Sequence, residues 1–277
     1  MRSLPPSSFA PEAGFQLAAE LAGGRTTLRR QHVGYPFHIT RGFYLDRARP
    51  DLLTLYLQSA SGGLYAGDRL TAEIAVGANA ALHLTTQAAT VVHDGRDGKS
   101  RQLQRIEVGQ GAFCAVSSDP YVVFPGADLE LESVAVVADD AVLFLADGLA
   151  AYDPKRTGRK FKEFCSRVRI VRPDGRLLLR DRGRIDGDAF DRSTPGMMAT
   201  ATVLIIAPAP RLPELESLMR TVDQCGCLCG ASEAPNRAGL VMRLLAPDAG
   251  ALARGLEAAF HAAAKAALGA ELAKRRK

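Results

Sequence analysis

The sequence predicts a mainly β protein, with a layered, solenoid-like β-hairpin body and a small helical C-terminal part. Three observations predict it. Runs such as Leu70-Thr-Ala-Glu-Ile-Ala-Val76 alternate apolar and polar residues with the period of two required by a strand with one buried face. One template, a Val, a small residue, two turn-type residues, an Ala and an apolar run, recurs at Val76, Val108 and Val137, 32 and 29 residues apart. Helical spacing of apolar residues is concentrated in the last third.

In chain order, residues 1–14 read as a flexible lead-in, because Pro and Ser dominate and no periodicity survives. Residues 15–207 form the β body. Leu53, Leu55 and Leu57 alternate as one strand. The copies Val76–Leu84, Val108–Val116 and Val137–Leu145 each read as strand, tight turn and strand, whose inner faces stack in layers. Val168 and Ile170, the turn Pro173-Asp174-Gly175, then Leu177 and Leu179 spell a hairpin. Pro208 and Pro210 mark the switch to residues 208–277, a mixed and mostly helical part. There Pro213 precedes a short helix, and Asp248 to Lys274 sets Leu252, Leu256, Phe260 and Ala263 along one stripe, weakened by Gly255 and Gly269.

Composition narrows the function. With 277 residues, 47% hydrophobic and 23% charged, the chain is neither disordered nor fibrous. No apolar run nears the roughly 20 residues that cross a bilayer, and the N-terminus has Pro and Ser where a secretory signal needs an apolar stretch, so the expectation is a cytoplasmic protein with no membrane role. Five cysteines, an odd number, suit a reducing compartment. A net charge of +5 is mild, and the basic tail Lys274 to Lys277 has no interleaved aromatics, so no nucleic-acid partner is expected.

Catalytic signatures are missing. Gly62-Gly63-Leu-Tyr-Ala-Gly67-Asp68 lacks the Lys-Ser/Thr of a phosphate loop, and there is no Gly-x-Ser-x-Gly or His-Glu-x-x-His. What remains is a polar strip, Thr85, Thr86, Gln87 and Thr90, bracketed by His83 and His93. Strand alternation places His83, Thr85, Gln87 and His93 on one face and Leu82 and Leu84 on the other. The strip reads either as a hydrogen-bonded Thr/Gln ladder or as a hydrated passage able to hand along a divalent ion. Asp68 reads either as a turn cap or as the carboxylate that makes a cation tolerable. Cys225, Cys227 and Cys229 stand at spacing two, a poor match to zinc but an alternative soft-metal site. A catalytic alternative is a metal-dependent hydrolase built on His83, His93 and Asp94.

Four segments carry a resemblance: Gly34-Tyr-Pro-Phe-His-Ile-Thr-Arg41, Ser59-Ala-Ser-Gly62-Gly63-Leu-Tyr-Ala-Gly67-Asp68, Thr85-Thr86-Gln87-Ala88-Ala89-Thr90, and Asp119-Pro120 with Phe124-Pro125-Gly126-Ala127. In this order they resemble the urease accessory protein family UreD, also called UreH. The chain departs from that pattern at Val91 and His93, and at Gly158 to Glu163. The resemblance implies a β solenoid-like scaffold without catalytic activity or a permanently bound cofactor. It also implies partners, namely apo-urease, UreF and the GTPase UreG, and nickel in transit through internal channels. The residues it marks are Gly62, Gly63, Gly67, Asp68, Thr85, Thr86, Gln87 and Thr90.

Overall fold

The computed structural model describes residues 13–96 and 98–274, so the lead-in and the basic tail fall almost wholly outside the described residues. In chain order the strands are β1 (Gly14–Ala22), β2 (Arg25–Val33), β3 (Phe37–Ile39), β4 (Leu53–Ser59), β5 (Arg69–Val76), β6 (Ala81–Thr86), β7 (Val91–Val92), β8 (Ser100–Val108) and β9 (Phe113–Ser117). There follow β10 (Tyr121–Val123), β11 (Asp128–Val137), β12 (Val142–Ala151), β13 (Glu163–Val171), β14 (Leu177–Asp186), β15 (Ala199–Ile206), β16 (Leu228–Glu233) and β17 (Gly239–Ala246). The helices are α1 (Gly187–Ser193), α2 (Leu215–Asp223) and α3 (Ala249–Leu268).

Two sheets face each other. The first runs β14-β13-β11-β8-β5-β1-β2, and the second runs β16-β17-β15-β12-β9-β6-β4-β3, with β10 and β7 continuing beside β12. The recurring template is the reason for the layering. Each Val ends a strand of the first sheet, the small and turn-type residues cross over, and the apolar run enters the second sheet. The three copies lie parallel to one another, β5-β8-β11 on one side and β6-β9-β12 on the other. The turn therefore joins strands in facing sheets, and each layer is an arch rather than a hydrogen-bonded hairpin. The Pro173-Asp174-Gly175 turn does close a true antiparallel hairpin, β13 with β14.

Strand alternation sorts the side chains. Leu17, Ile74, Ile106, Leu82, Cys114 and Leu143 fill the space between the sheets. The opposite face of the second sheet, with Phe113, Ala115, Phe144 and Val203, is covered by α3 through Leu252, Leu256 and Phe260. Asp248 caps α3 by accepting the Ala251 N–H at 2.8 Å, and Gly269 ends it. The part beyond Pro208, expected to be mixed and mostly helical, also supplies two strands: β17 pairs with β15 and β16 with β17, extending the second sheet.

Candidate functional site

The second sheet is creased. β6 stops at Thr86 and β9 at Ser117, and beyond the break β7 pairs with β10 as β6 pairs with β9. Of the three parallel strands β6, β9 and β12, β12 runs through, pairing first with β9 and then with β10. Local chemistry explains the break. Pro120 has no N–H for a ladder, and the Asp119 N–H donates to Thr86 Oγ1 at 2.8 Å instead of to a strand.

Beneath the crease, between the sheets, opens a crevice of about 460 Å3 counting its mouth. Gln102, Gln104, Tyr121, Ser133 and Asp147 line it. Tyr121 Oη donates to Gln102 Oε1 at 2.7 Å, and Ser133 Oγ donates to Gln104 Oε1 at 3.4 Å. Across the gap, Ser166 Oγ donates to Asp147 Oδ2 at 2.5 Å. A second cavity, on the α3 side, shares Ser118, Asp119 and Ala146 with the first, so the creased sheet is thin between two openings.

Asp147 dominates the electrostatics. Burial pushes its carboxyl up from 3.8 to about 6, against the Ser166 hydrogen bond, with Asp181 adding to the rise and Arg243 opposing it. Its residue surface is only half-buried, because the crevice mouth reaches it. No cation neutralises it within ion-pair distance among the described residues, since Arg243 donates to Asp181 at 2.5 Å and also bonds Thr202. Burial, with Asp147 nearby, also pushes the Tyr121 phenol upward. The result is a half-buried carboxylate beside the neutral oxygens of Tyr121, Gln102 and Ser133, with Asp119 at the edge of the crevice, a set suited to holding a divalent cation weakly.

The residues predicted from sequence lie around this crease without converging on one point. His83 bonds Ser117 Oγ at 2.8 Å and stacks on Phe260 with centroids 4.2 Å apart, beneath α3. Thr85 donates to the Ser117 carbonyl at 2.8 Å, and Thr86 accepts from Asp119. The expected face holds through Thr85 and ends there: Gln87 is exposed beyond the strand, bonded to Gln58. The Thr90 carbonyl accepts the Val122 N–H at 2.9 Å. His93 sits in a surface ring stack, parallel to Tyr65 at 4.4 Å and edge-on to Phe124 at 5.4 Å, with Nε2 at 3.0 Å from the Gly62 carbonyl. Asp94 accepts from the Arg96 N–H and from Arg159, interactions that hold its carboxyl below the usual range, the backbone bond foremost. Asp68 caps its own turn, accepting the Tyr65 N–H at 2.8 Å.

The three cysteine thiols point to separate acceptors. Cys225 donates to the Thr221 carbonyl, Cys227 to Ala251 and Cys229 to Met219. Burial pushes the Cys227 thiol upward and the Cys229 thiol up to about 12, which opposes the thiolate a soft metal needs. Among the described residues, no group of three His, Cys, Asp or Glu could hold a metal ion.

The marked glycines have different roles. A Cβ on Gly63, at φ +134°, would lie 2.3 Å from the Val91 carbonyl oxygen, where Leu64 N–H bonds that same oxygen. Gly67, at φ +84°, faces open space. Gly63→Ala is expected to cost about 3 kcal/mol and Gly67→Ala about 1 kcal/mol, read as shifts in the urea midpoint. Equal costs would mean that Gly63 is not held against β7.

Comparison with known proteins completes the picture. The family described as UreD urease accessory protein matches residues 12–277. Urease accessory protein UreD 3 of Bradyrhizobium sp. (strain ORS 278) is 60% identical over 94% of this chain and 93% of its own length. Urease accessory protein UreD 1 of Bradyrhizobium sp. (strain BTAi1 / ATCC BAA-1182) is 61% identical over the same shares. The UreD 2 protein of strain ORS 278 is 31% identical over 91% of this chain and 89% of its own length. The chain is thus similar to one copy of that strain far more than to another.

Proposed function

This chain belongs to the UreD family of urease accessory proteins, and from that premise we propose that it is a cytoplasmic scaffold that binds apo-urease with UreF and UreG and assists nickel insertion. It works by binding and makes or breaks no covalent bond. The nickel ion is cargo, and its path is the crevice under the crease. Asp147 carries this reading, because a half-buried carboxylate with a hydroxyl partner and no cation is stabilised by an arriving divalent ion.

The surrounding groups set how tightly the ion is held. Nickel(II) exchanges waters for the Asp147 carboxylate and for neutral oxygens of Tyr121, Gln102 and Ser133. One charge among neutral ligands keeps the ion exchangeable, as delivery requires. The polar strip predicted from sequence contributes at one remove, since Thr86 fixes Asp119 and hence the edge of both cavities. Two families of outcome test the role. A strain lacking this chain is expected to make folded urease with little nickel, measured by elemental analysis of the purified enzyme. Fully loaded urease from that strain would refute the scaffold.

A further inference from the structure

Among the described residues, no helix covers the outer face of the first sheet. α2 and α3 pack against the second sheet and each other, and α1 meets the end of β14 and the Lys160–Phe161 segment. On this open face the alternation of β13 and β14 places a half-buried Arg167 and the exposed Arg169, Arg180, Arg182 and Arg184. The register puts Arg169 directly opposite Arg180 and Arg167 opposite Arg182. Like charges at such positions, with Cβ atoms roughly 5 Å apart, oppose strand pairing. Nearby carboxylates relieve two of the five. Glu130 pairs with Arg167 and with Arg101, while Glu163 pairs with Arg184 and with Lys99. Arg169, Arg180 and Arg182 are exposed and have no ion pair among the described residues.

We propose that this arginine face is a docking surface for the carboxylate-rich face of a protein partner in the maturation assembly. The identity of the assembly rests on the scaffold reading above; the acidic chemistry of the partner rests on the patch itself. Guanidinium groups match carboxylates with paired donors and complete the charge that the strands leave open. Glu130, Glu132 and Glu163 interleave with the arginines, so the patch is a mosaic of both signs. Such a mosaic with arginine in excess complements a carboxylate-rich protein face, whereas a continuous phosphate surface is repelled by the acids. The patch also has no aromatic side chain on which a base could stack.

The test compares wild-type protein with the triple variant Arg169→Ser, Arg180→Ser, Arg182→Ser. Each is titrated against immobilised apo-urease, against the immobilised UreF–UreG assembly, and against a duplex DNA probe. The variant is expected to bind one of the two protein probes about tenfold more weakly. Raising salt from about 0.05 M to 0.3 M is expected to weaken the wild type and to leave the variant nearly unchanged, because screening acts on the removed charges. Its melting temperature is expected to equal or exceed that of the wild type, since cross-strand repulsion is relieved. Unchanged affinity for both proteins overturns the inference, and so does a loss confined to DNA. Self-association of the variant with intact partner binding also overturns it, because the arginines then guard the β14 edge. Wild-type protein that binds neither partner overturns the scaffold reading itself, an outcome distinct from a patch that does not matter.

Discussion

Asp147→Asn is expected to make the protein more stable at pH 8 and less able to activate urease. The two effects share one cause, a carboxylate held where its charge is unfavourable. The folded-state value is about 6 against 3.8. That shift of about two units corresponds to roughly 3 kcal/mol if the group were wholly shut from water. Because the crevice mouth reaches Asp147, about 1–2 kcal/mol is the expected gain for Asn, which still accepts from Ser166. The sign with pH is fixed by linkage. Between about 3.8 and 6 the folded chain holds a proton that the unfolded chain has released, so wild-type stability falls as pH rises through this window. Above about 7 the penalty is complete, and below about pH 3 it vanishes. Urea midpoints of variant and wild type are therefore expected to converge toward about pH 3 and to diverge by pH 8. A difference that does not change with pH would show that Asp147 titrates normally. Loss of one charged ligand is worth at least about 1.4 kcal/mol, or tenfold, so nickel loading of urease at limiting nickel is expected to drop about tenfold. A variant that is more stable and equally active would remove Asp147 from the ion path.

Much of the fold was legible because its signals are local. The alternation of Leu70, Ala72, Ile74 and Val76, the Pro173-Asp174-Gly175 turn and the stripe of Leu252, Leu256 and Phe260 each lie within a few residues and each became the expected element, although the helix stops at Leu268 with Gly269 as its cap instead of running on to Lys274. The template at Val76, Val108 and Val137 marked the layers. It did not distinguish an arch from a hairpin, because that depends on which distant strand offers hydrogen bonds. The crevice was illegible for the same reason. Gln102 and Gln104 share the inward phase of Ile106, Ser133 that of Ala135, Ser166 that of Val168 and Asp147 that of Leu145. In each strand this is one or two polar residues on an apolar face, unremarked alone, and only the facing of two sheets brings four strands' worth together. The Thr85 to Thr90 strip stood out because Thr85, Thr86 and Gln87 are consecutive, and consecutive polar residues marked the edge of the crease rather than its floor.

Phe260→Ala is expected to cost the most stability of any single change proposed, about 3–5 kcal/mol, and a companion change at His83 separates the two candidate ion paths. The ring is 1% exposed, lies over His83 at 4.2 Å and meets Phe144 edge-on at 5.5 Å. Truncating a fully enclosed Phe leaves a cavity that the surrounding Ala-rich sheet cannot collapse to fill. For a chain of this size the melting temperature is expected to fall by roughly 10 °C, measured by calorimetry. A drop under about 2 °C would mean that α3 is not seated through this ring. The companion change, His83→Phe, keeps an aromatic partner for Phe260 and removes both ring nitrogens, leaving Ser117 to other contacts. If His83 serves packing, this variant activates urease as the wild type does and loses about 1–2 kcal/mol, the cost of one lost buried hydrogen bond. If the ion instead runs along the face of His83 and Thr85, the same variant is stable and fails to deliver nickel. The geometry favours the first result, because the imidazole lies between a hydroxyl and a phenyl ring, whereas Asp147, one strand further along the sheet from Ser117, is the carboxylate that opens onto the crevice.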